Sequence, residues 1–257
     1  MSAELTIRKY HLEDGHERKR LILSGEIRQG DAKKLASVIS NNSNWINTIE
    51  LNSPGGNVME AMIMGEVVRS ARLETIVQPG QTCASACFII WINGSSRMAF
   101  PDEQFKNSKT GNYSYSRIGL HRPYITEINN NDKSLSFQAR VMQSVDFYLA
   151  SRRLPRRIID QMMGRASNDI YWIKQDDLDE IGFTPYDLEE LYIAKCNDNR
   201  KTLGKQISIA KANGSHNLES ILTDNYLKIN DCVNDLNENA KKRAVKEMFK
   251  SALENNL

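Results

Sequence analysis

Ser85 stands where a turn, Val77-Gln-Pro-Gly-Gln81, hands over to an apolar run, and its neighbours Ala84 and Ala86 are small enough for a tight bend. A serine there sits at the start of a helix, where unpaired main-chain N–H groups and the positive end of the dipole favour a developing oxyanion. It is also the ordinary place for a capping serine, so the local pattern leaves a nucleophile and a cap both open. Upstream, Leu51-Asn-Ser-Pro-Gly-Gly56 follows one strand-like run and precedes a helix start. Paired glycines let the backbone approach a bound group and point N–H donors at it, although a Pro-Gly turn is common without any such role. Of four histidines, His11, His16 and His216 lie in charged or polar stretches and read as solvated. His121 ends the apolar strand Ile118-Gly-Leu-His121, the place where a sheet delivers side chains to a cleft at its carboxyl edge.

The elements that must position these groups follow from periodicity. Residues 20–25 and 48–52 are β-rich and flank a helix from Asp31 to Ile39, in which Ala32, Leu35, Ala36 and Ile39 recur at helical spacing. Asn57 with Glu60 matches a capping box, opening a helix that runs to about Arg72. A strand at Thr75–Gln78, a helix at Ala84–Ile92, and strands at Arg97–Phe100 and Ile118–His121 continue the alternation. The polar run over 101–117 reads as an exposed loop. A long amphipathic helix is predicted over Lys133–Arg153, a second opened by Pro155 and ending at Gly164, a strand at Ile170–Ile173, and a short helix at Asp176–Ile181 closed by Gly182. The fold class is therefore α/β, with β-α repeats and a mostly parallel, helix-covered sheet. Past residue 186 aromatics thin out and Asn and Lys rise, which predicts a catalytic domain over 1–186 and a helical C-terminal extension over 187–257. A linker is expected at 197–204 and helices at 217–229 and 234–254.

Composition sets the outer limits. The 257 residues are 40% apolar and 26% charged, a globular balance that excludes disordered and collagen-like classes. A net charge of +2 gives no field to gather nucleic acid or anionic lipid. The apolar run through 87–92 falls well short of the about 20 residues a membrane span requires, so no membrane span is expected. Charges throughout the first thirty residues leave no secretory signal, which predicts a cytoplasmic chain, or a periplasmic one if a leader precedes this sequence. Four cysteines are too few for a disulfide scaffold and show no zinc spacing, and no metal or cofactor is expected. In the cytoplasm Cys83 and Cys87 are small buried apolar side chains; in an oxidising compartment they join each other or another cysteine.

Taken in order, LNSPGG at 51–56, GQTCASACF at 80–88 and IGLHRP at 118–123 make the chain resemble the Clp-type serine protease family, within the group sharing the Clp protease and crotonase fold of repeated β-β-α units. The Cys-Ala-Ser-Ala-Cys form is similar to bacterial Clp-like proteins predicted to be exported. The resemblance covers about Arg20 to Thr184. It implies Ser85 as nucleophile, His121 as general base and then acid, and the main-chain N–H groups of Gly56 and Ala86 as the oxyanion hole. The third member is implied after the long helix, where Asp169 fits best, one residue out of register against Gly182; Asn168 would also orient an imidazole. A longer stretch than the family norm separates Ser85 from His121, and the excess coincides with the 104–117 loop.

The resemblance thus implies a serine peptidase that hydrolyses peptide bonds in peptide or protein substrates through an acyl-enzyme. Homo-oligomerisation through the Lys133–Arg153 helix is implied as well. No GxxxxGK[ST] occurs in the chain, so any ATP-driven unfolding would come from a separate ATPase partner. The alternatives are an acyl thioester or ester hydrolase on the same fold, and a non-catalytic scaffold.

Overall fold

A computed structural model describes residues 2–11, 17–42, 46–101, 105–106, 113–124, 132–166 and 168–254. The contiguous apolar run Leu21, Ile22, Leu23 supplies β2 (Glu17–Ser24), all three side chains buried, and Ile46, Ile49 and Leu51 are the buried apolar residues of β3 (Ile46–Asn52). Between them α1 (Asp31–Asn41) buries Ala32, Leu35 and Ile39, the stripe its spacing predicts. β2 and β3 run parallel, as a crossover through a helix requires. The parallel order continues through β4 (Glu74–Ile76) to β6 (Arg97–Met98).

The longest of the strands that went unpredicted lies at the N-terminus. β1 (Glu4–His11) pairs antiparallel with β2 along its full length, making a five-stranded mixed sheet in the order β1-β2-β3-β4-β6. Its charges read as a loop in sequence but suit the outermost strand of a sheet, where they discourage pairing with another chain. His11 is its last residue; His16 lies outside the described residues.

The second sheet carries the segments at Ser85 and His121. β5 (Thr82–Ala84) runs parallel to β9 (Arg117–Leu120), and β9 pairs antiparallel with β10 (Tyr171–Trp172). The larger sheet is mostly parallel, as expected, with β1 its antiparallel exception, but the strands divide between two mixed sheets rather than forming one. Within the 101–117 stretch, β7 (Phe105–Lys106) and β8 (Tyr113–Ser114) form a small antiparallel pair where a structureless loop was expected; residues 102–104 and 107–112 lie outside the described residues.

α2 (Val58–Ser70) packs on α1 and on α3 (Ala86–Trp91). α3 is buried on every side, Phe88, Ile89, Ile90 and Trp91 included, which is why its sequence is apolar all round. Fully burying each such side chain contributes on the order of 1.5–3 kcal/mol. The predicted capping box at α2 is only half made. The Asn57 side chain accepts from the Glu60 N–H, but the Glu60 carboxylate turns away to accept from the N–H groups of Gly30 and Ala32. It thereby caps α1 rather than α2, because Gly30 at the α1 N-cap has no side chain to do so.

α4 (Asp132–Ser151), α5 (Arg156–Gly164) and α6 (Gln175–Ile181) match their predicted places, with Pro155 at the N-cap of α5 and Gly182 closing α6. Beyond them lie α7 (Tyr186–Cys196), α8 (Arg200–Ala212) and α9 (His216–Glu254). The expected linker at 197–204 is largely α8, and the two helices expected after 216 are one. Asn and Asp around 230 suggest a break, but contacts override propensity. Ile229, Val233 and Leu236 pack with Leu188 and Tyr192, while Asn230 and Asn237 accept hydrogen bonds from Arg200 and Tyr192. A disulfide between Cys196 and Cys232 joins α7 to α9. No helix among the described residues is long and apolar enough to cross a membrane.

Candidate functional site

Three segments meet edge to edge at the carboxyl ends of parallel strands. Just past β3, Ser53 bridges Cys83 on β5: its N–H donates to the Thr82 carbonyl and its carbonyl accepts from the Ala84 N–H. On the other side β5 pairs with β9, and the Ser85 N–H donates to the Gly119 carbonyl at 2.8 Å. The turn after Ser53, the turn at Ser85 and the residues after Gly119 therefore emerge together, which is how side chains distant in sequence reach one cleft.

Ser85 has φ 55° and ψ −123°, a conformation that a residue with a Cβ rarely adopts. The backbone reverses there from β5 into α3, so the hydroxyl stands at the apex of a bend. Such strain costs on the order of 1–3 kcal/mol and persists only where surrounding structure imposes it. The Asn-Ser-Pro-Gly-Gly turn is held by a third strand-like contact. Ile27 donates its N–H to the Gly55 carbonyl and accepts from the Asn57 N–H, both at 2.8 Å. In a parallel bridge of this kind the intervening residue faces away from its partner, so the Gly56 N–H is free of the ladder.

Ser85, His121, Gly56 and Ala86 line one cavity of about 680 Å³. Its walls include Val58, Met59, Phe137, Val141 and Met162, with Glu26 and Arg28 adding charge. The His121 side chain is buried, and its Nδ1 lies 2.9 Å from the main-chain oxygen of Arg122. A carbonyl oxygen only accepts, so Nδ1 carries a hydrogen, and in the neutral form of the ring the lone pair is on Nε2. Among the described residues the Ser85 hydroxyl makes no hydrogen bond to the His121 ring; in an unliganded site such bonds are often long and tighten with substrate.

Asp169 is not brought to His121. Both its carboxylate oxygens are taken by the Arg165 guanidinium, at 3.0 and 3.2 Å, in an exposed pair one helical turn apart. In this structure the implied third member faces Arg165, and the imidazole Nδ1 faces the Arg122 carbonyl. Asn168 also lies outside the residues lining the cavity.

Of the two expectations for Cys83 and Cys87, the structure has the one set by an oxidising compartment: they form a disulfide bracketing Ser85. Cys83 sits on β5 and Cys87 on α3, not on one helical face. Gly55 is a site residue that spacing alone does not single out. Its φ is +101°, and a Cβ built on it would lie 2.7 Å from both the Ser85 Cβ and the Ala84 oxygen.

No family model matches the chain, and no curated protein is similar to it in sequence. Among solved structures, a mutant of ClpP1 from Listeria monocytogenes aligns over 64% of this chain and 88% of its own, at 16% identity and a TM-score of 0.46.

Proposed function

We propose that this chain is a serine hydrolase that cleaves peptide bonds, with Ser85 as nucleophile and His121 as base. The observation that carries the reading is Ser85 at a positive-φ bend, in one cavity with the main chain of Gly56 and Ala86 and with an imidazole whose Nδ1 faces the Arg122 carbonyl, which leaves Nε2 of the neutral ring to act as base. The ordered motifs at 51–56, 80–88 and 118–123 support it.

In the acylation step the Ser85 Oγ attacks the substrate carbonyl carbon as its proton passes to His121 Nε2. The carbonyl oxygen becomes an anion that the N–H groups of Gly56 and Ala86 stabilise; one such donor is typically worth about 10²–10³ in turnover. The C–N bond then breaks, and His121 returns the proton to the leaving amine. Water attacks the resulting ester, giving its proton to His121, and collapse releases the acid and restores the Ser85 hydroxyl. The Arg122 carbonyl holds the imidazole in the required tautomer throughout. The apolar cavity walls suit apolar substrate side chains.

Self-association and a separate ATPase partner belong to the same reading, as does the division into a catalytic part over 1–186 and an extension over 187–257. The two disulfides support an oxidising compartment over the cytoplasm.

The test is labelling with a fluorophosphonate probe, followed by peptide mapping and by assay on unfolded polypeptides and acyl thioesters. Labelling at Ser85 that disappears in Ser85→Ala and falls about 10²–10⁴-fold in His121→Ala is the expected result. Folded protein that takes up no label refutes the hydrolase reading in favour of a scaffold. Label without polypeptide cleavage, but with thioester turnover, moves the substrate class.

A further inference from the structure

The geometry points to the Cys83–Cys87 disulfide as the positioning element of the Ser85 turn, an inference that rests on Ser85 being a nucleophile. The bond joins residues four apart with Ser85 at their midpoint, so nucleophile, Ala84 and Ala86 all belong to one small covalent ring. Each anchor of that ring is immobile. Cys83 is fully buried and clamped between Ser53 and Ile118 in the strand ladder; Cys87 is fully buried in α3 among the core side chains.

A non-glycine residue at positive φ relaxes toward the ordinary helical or extended regions when its surroundings loosen. For Ser85 that relaxation would swing the Oγ out of the cavity shared with His121 and turn the Ala86 N–H away from the oxyanion position. Hydrogen bonds fix the strand side of the turn, through Ser85 N–H to Gly119 and Ala84 N–H to Ser53. Among the described residues, the next such bond on the helix side comes only where the Phe88 N–H donates to the Ser85 carbonyl. The disulfide spans that gap. It holds the nucleophile and one oxyanion donor as a single rigid unit, and displacements near 1 Å at such a site cost about 10²-fold in rate.

The test compares wild type with Cys83→Ala/Cys87→Ala and with Cys196→Ala/Cys232→Ala, in which the remote bond is removed instead. Fluorophosphonate labelling of Ser85 and kcat on a peptide substrate should fall about 10–100-fold in the first variant, with KM and the pH profile little changed because the cavity walls and His121 remain. The second variant should label at the wild-type rate. Equal labelling in all three overturns the inference, as does a loss of equal size in both variants.

If the first variant does not fold, native wild type treated with a phosphine, which takes up oxygen as the disulfide becomes two thiols, gives the same comparison. Molecules alkylated at 83 and 87 should label slowly, and full-rate labelling in that population refutes the clasp. Wild type that never labels refutes the hydrolase reading instead. In that case amide exchange at Ala84, Ser85 and Ala86 decides the clasp: faster exchange without the disulfide supports it, unchanged exchange overturns it.

Discussion

Gly55 and Ser85 touch through a space only large enough for a hydrogen: a Cβ on Gly55 would stand 2.7 Å from the Ser85 Cβ. The second of the paired glycines is no freer. A Cβ on Gly56, whose φ is +138°, would lie 2.2 Å from the Ile27 oxygen.

Gly55→Ala is therefore expected to act on Ser85 rather than on substrate. The backbone at φ +101° disfavours alanine, and the methyl group meets main chain that cannot move aside. Labelling of Ser85 should fall at least about 10-fold, with stability reduced by about 1–3 kcal/mol in denaturant titration. Wild-type labelling in this variant would mean the turn can shift away from the serine without consequence.

Asp169→Asn is expected to leave kcat within about threefold of wild type. Its carboxylate serves an exposed pair with Arg165, worth at most about 1 kcal/mol, while Arg122 supplies the imidazole's acceptor. Loss of a true triad carboxylate costs about 10⁴ in kcat, so steady-state kinetics separates the two cases cleanly.

Asp177 gives the fold a pH dependence. Burial pushes its carboxyl up, but the Lys174 N–H, the Arg157 guanidinium and the Tyr171 hydroxyl all donate to it and outweigh that, leaving it below the ordinary value of 3.8. A carboxyl whose folded pKa is depressed contributes stability that is fully present above its unfolded pKa and disappears as pH falls through the folded one. Asp177→Asn should cost about 2–3 kcal/mol at pH 7. The gap between variant and wild type should begin to narrow as pH drops below about 4, as followed by thermal melts across pH.

Removing the Cys196–Cys232 bond should loosen the C-terminal helices without touching chemistry. It closes a loop with a sequence separation of 36, for which chain entropy gives about 3–4 kcal/mol. Amide exchange in α7 and α9 should rise in Cys196→Ala/Cys232→Ala; unchanged protection there would mean that Leu188, Tyr192 and Val233 suffice to hold these helices.

Much of the architecture was readable from periodicity, because helices such as α1 and α5 bury one stripe and strands such as β2 bury a contiguous run. β1 was missed since a strand at a sheet edge carries the same charges as a solvated loop. The Asn-Asp cluster near 230 misread as a break because its hydrogen-bonding partners, Arg200 and Tyr192, lie far away in sequence. At the site, Ser85, His121, Gly56 and Ala86 were legible as types in place and share one cavity. Asp169 was implied by a resemblance that it fits one residue out of register, and neither resemblance nor spacing discloses the Arg165 beside it. The Arg122 carbonyl left no trace at all, since every residue has one. Spacing left the Cys83–Cys87 bond as one of two alternatives, because the choice depends on compartment and on Cys83 lying within a strand while Cys87 lies in the following helix.

The bridges from Ser53 to Cys83 and from Cys83 to Ile118 join stretches that lie far apart along the chain. Contacts of that kind are entropically expensive to close and are characteristic of slow, late events in folding. No fragment containing only one or two of the three segments has the Ser85–His121 cavity complete. On the proposed reading, a nascent or partly unfolded copy would thus be chemically silent, and activity would appear only once the chain had finished organising itself.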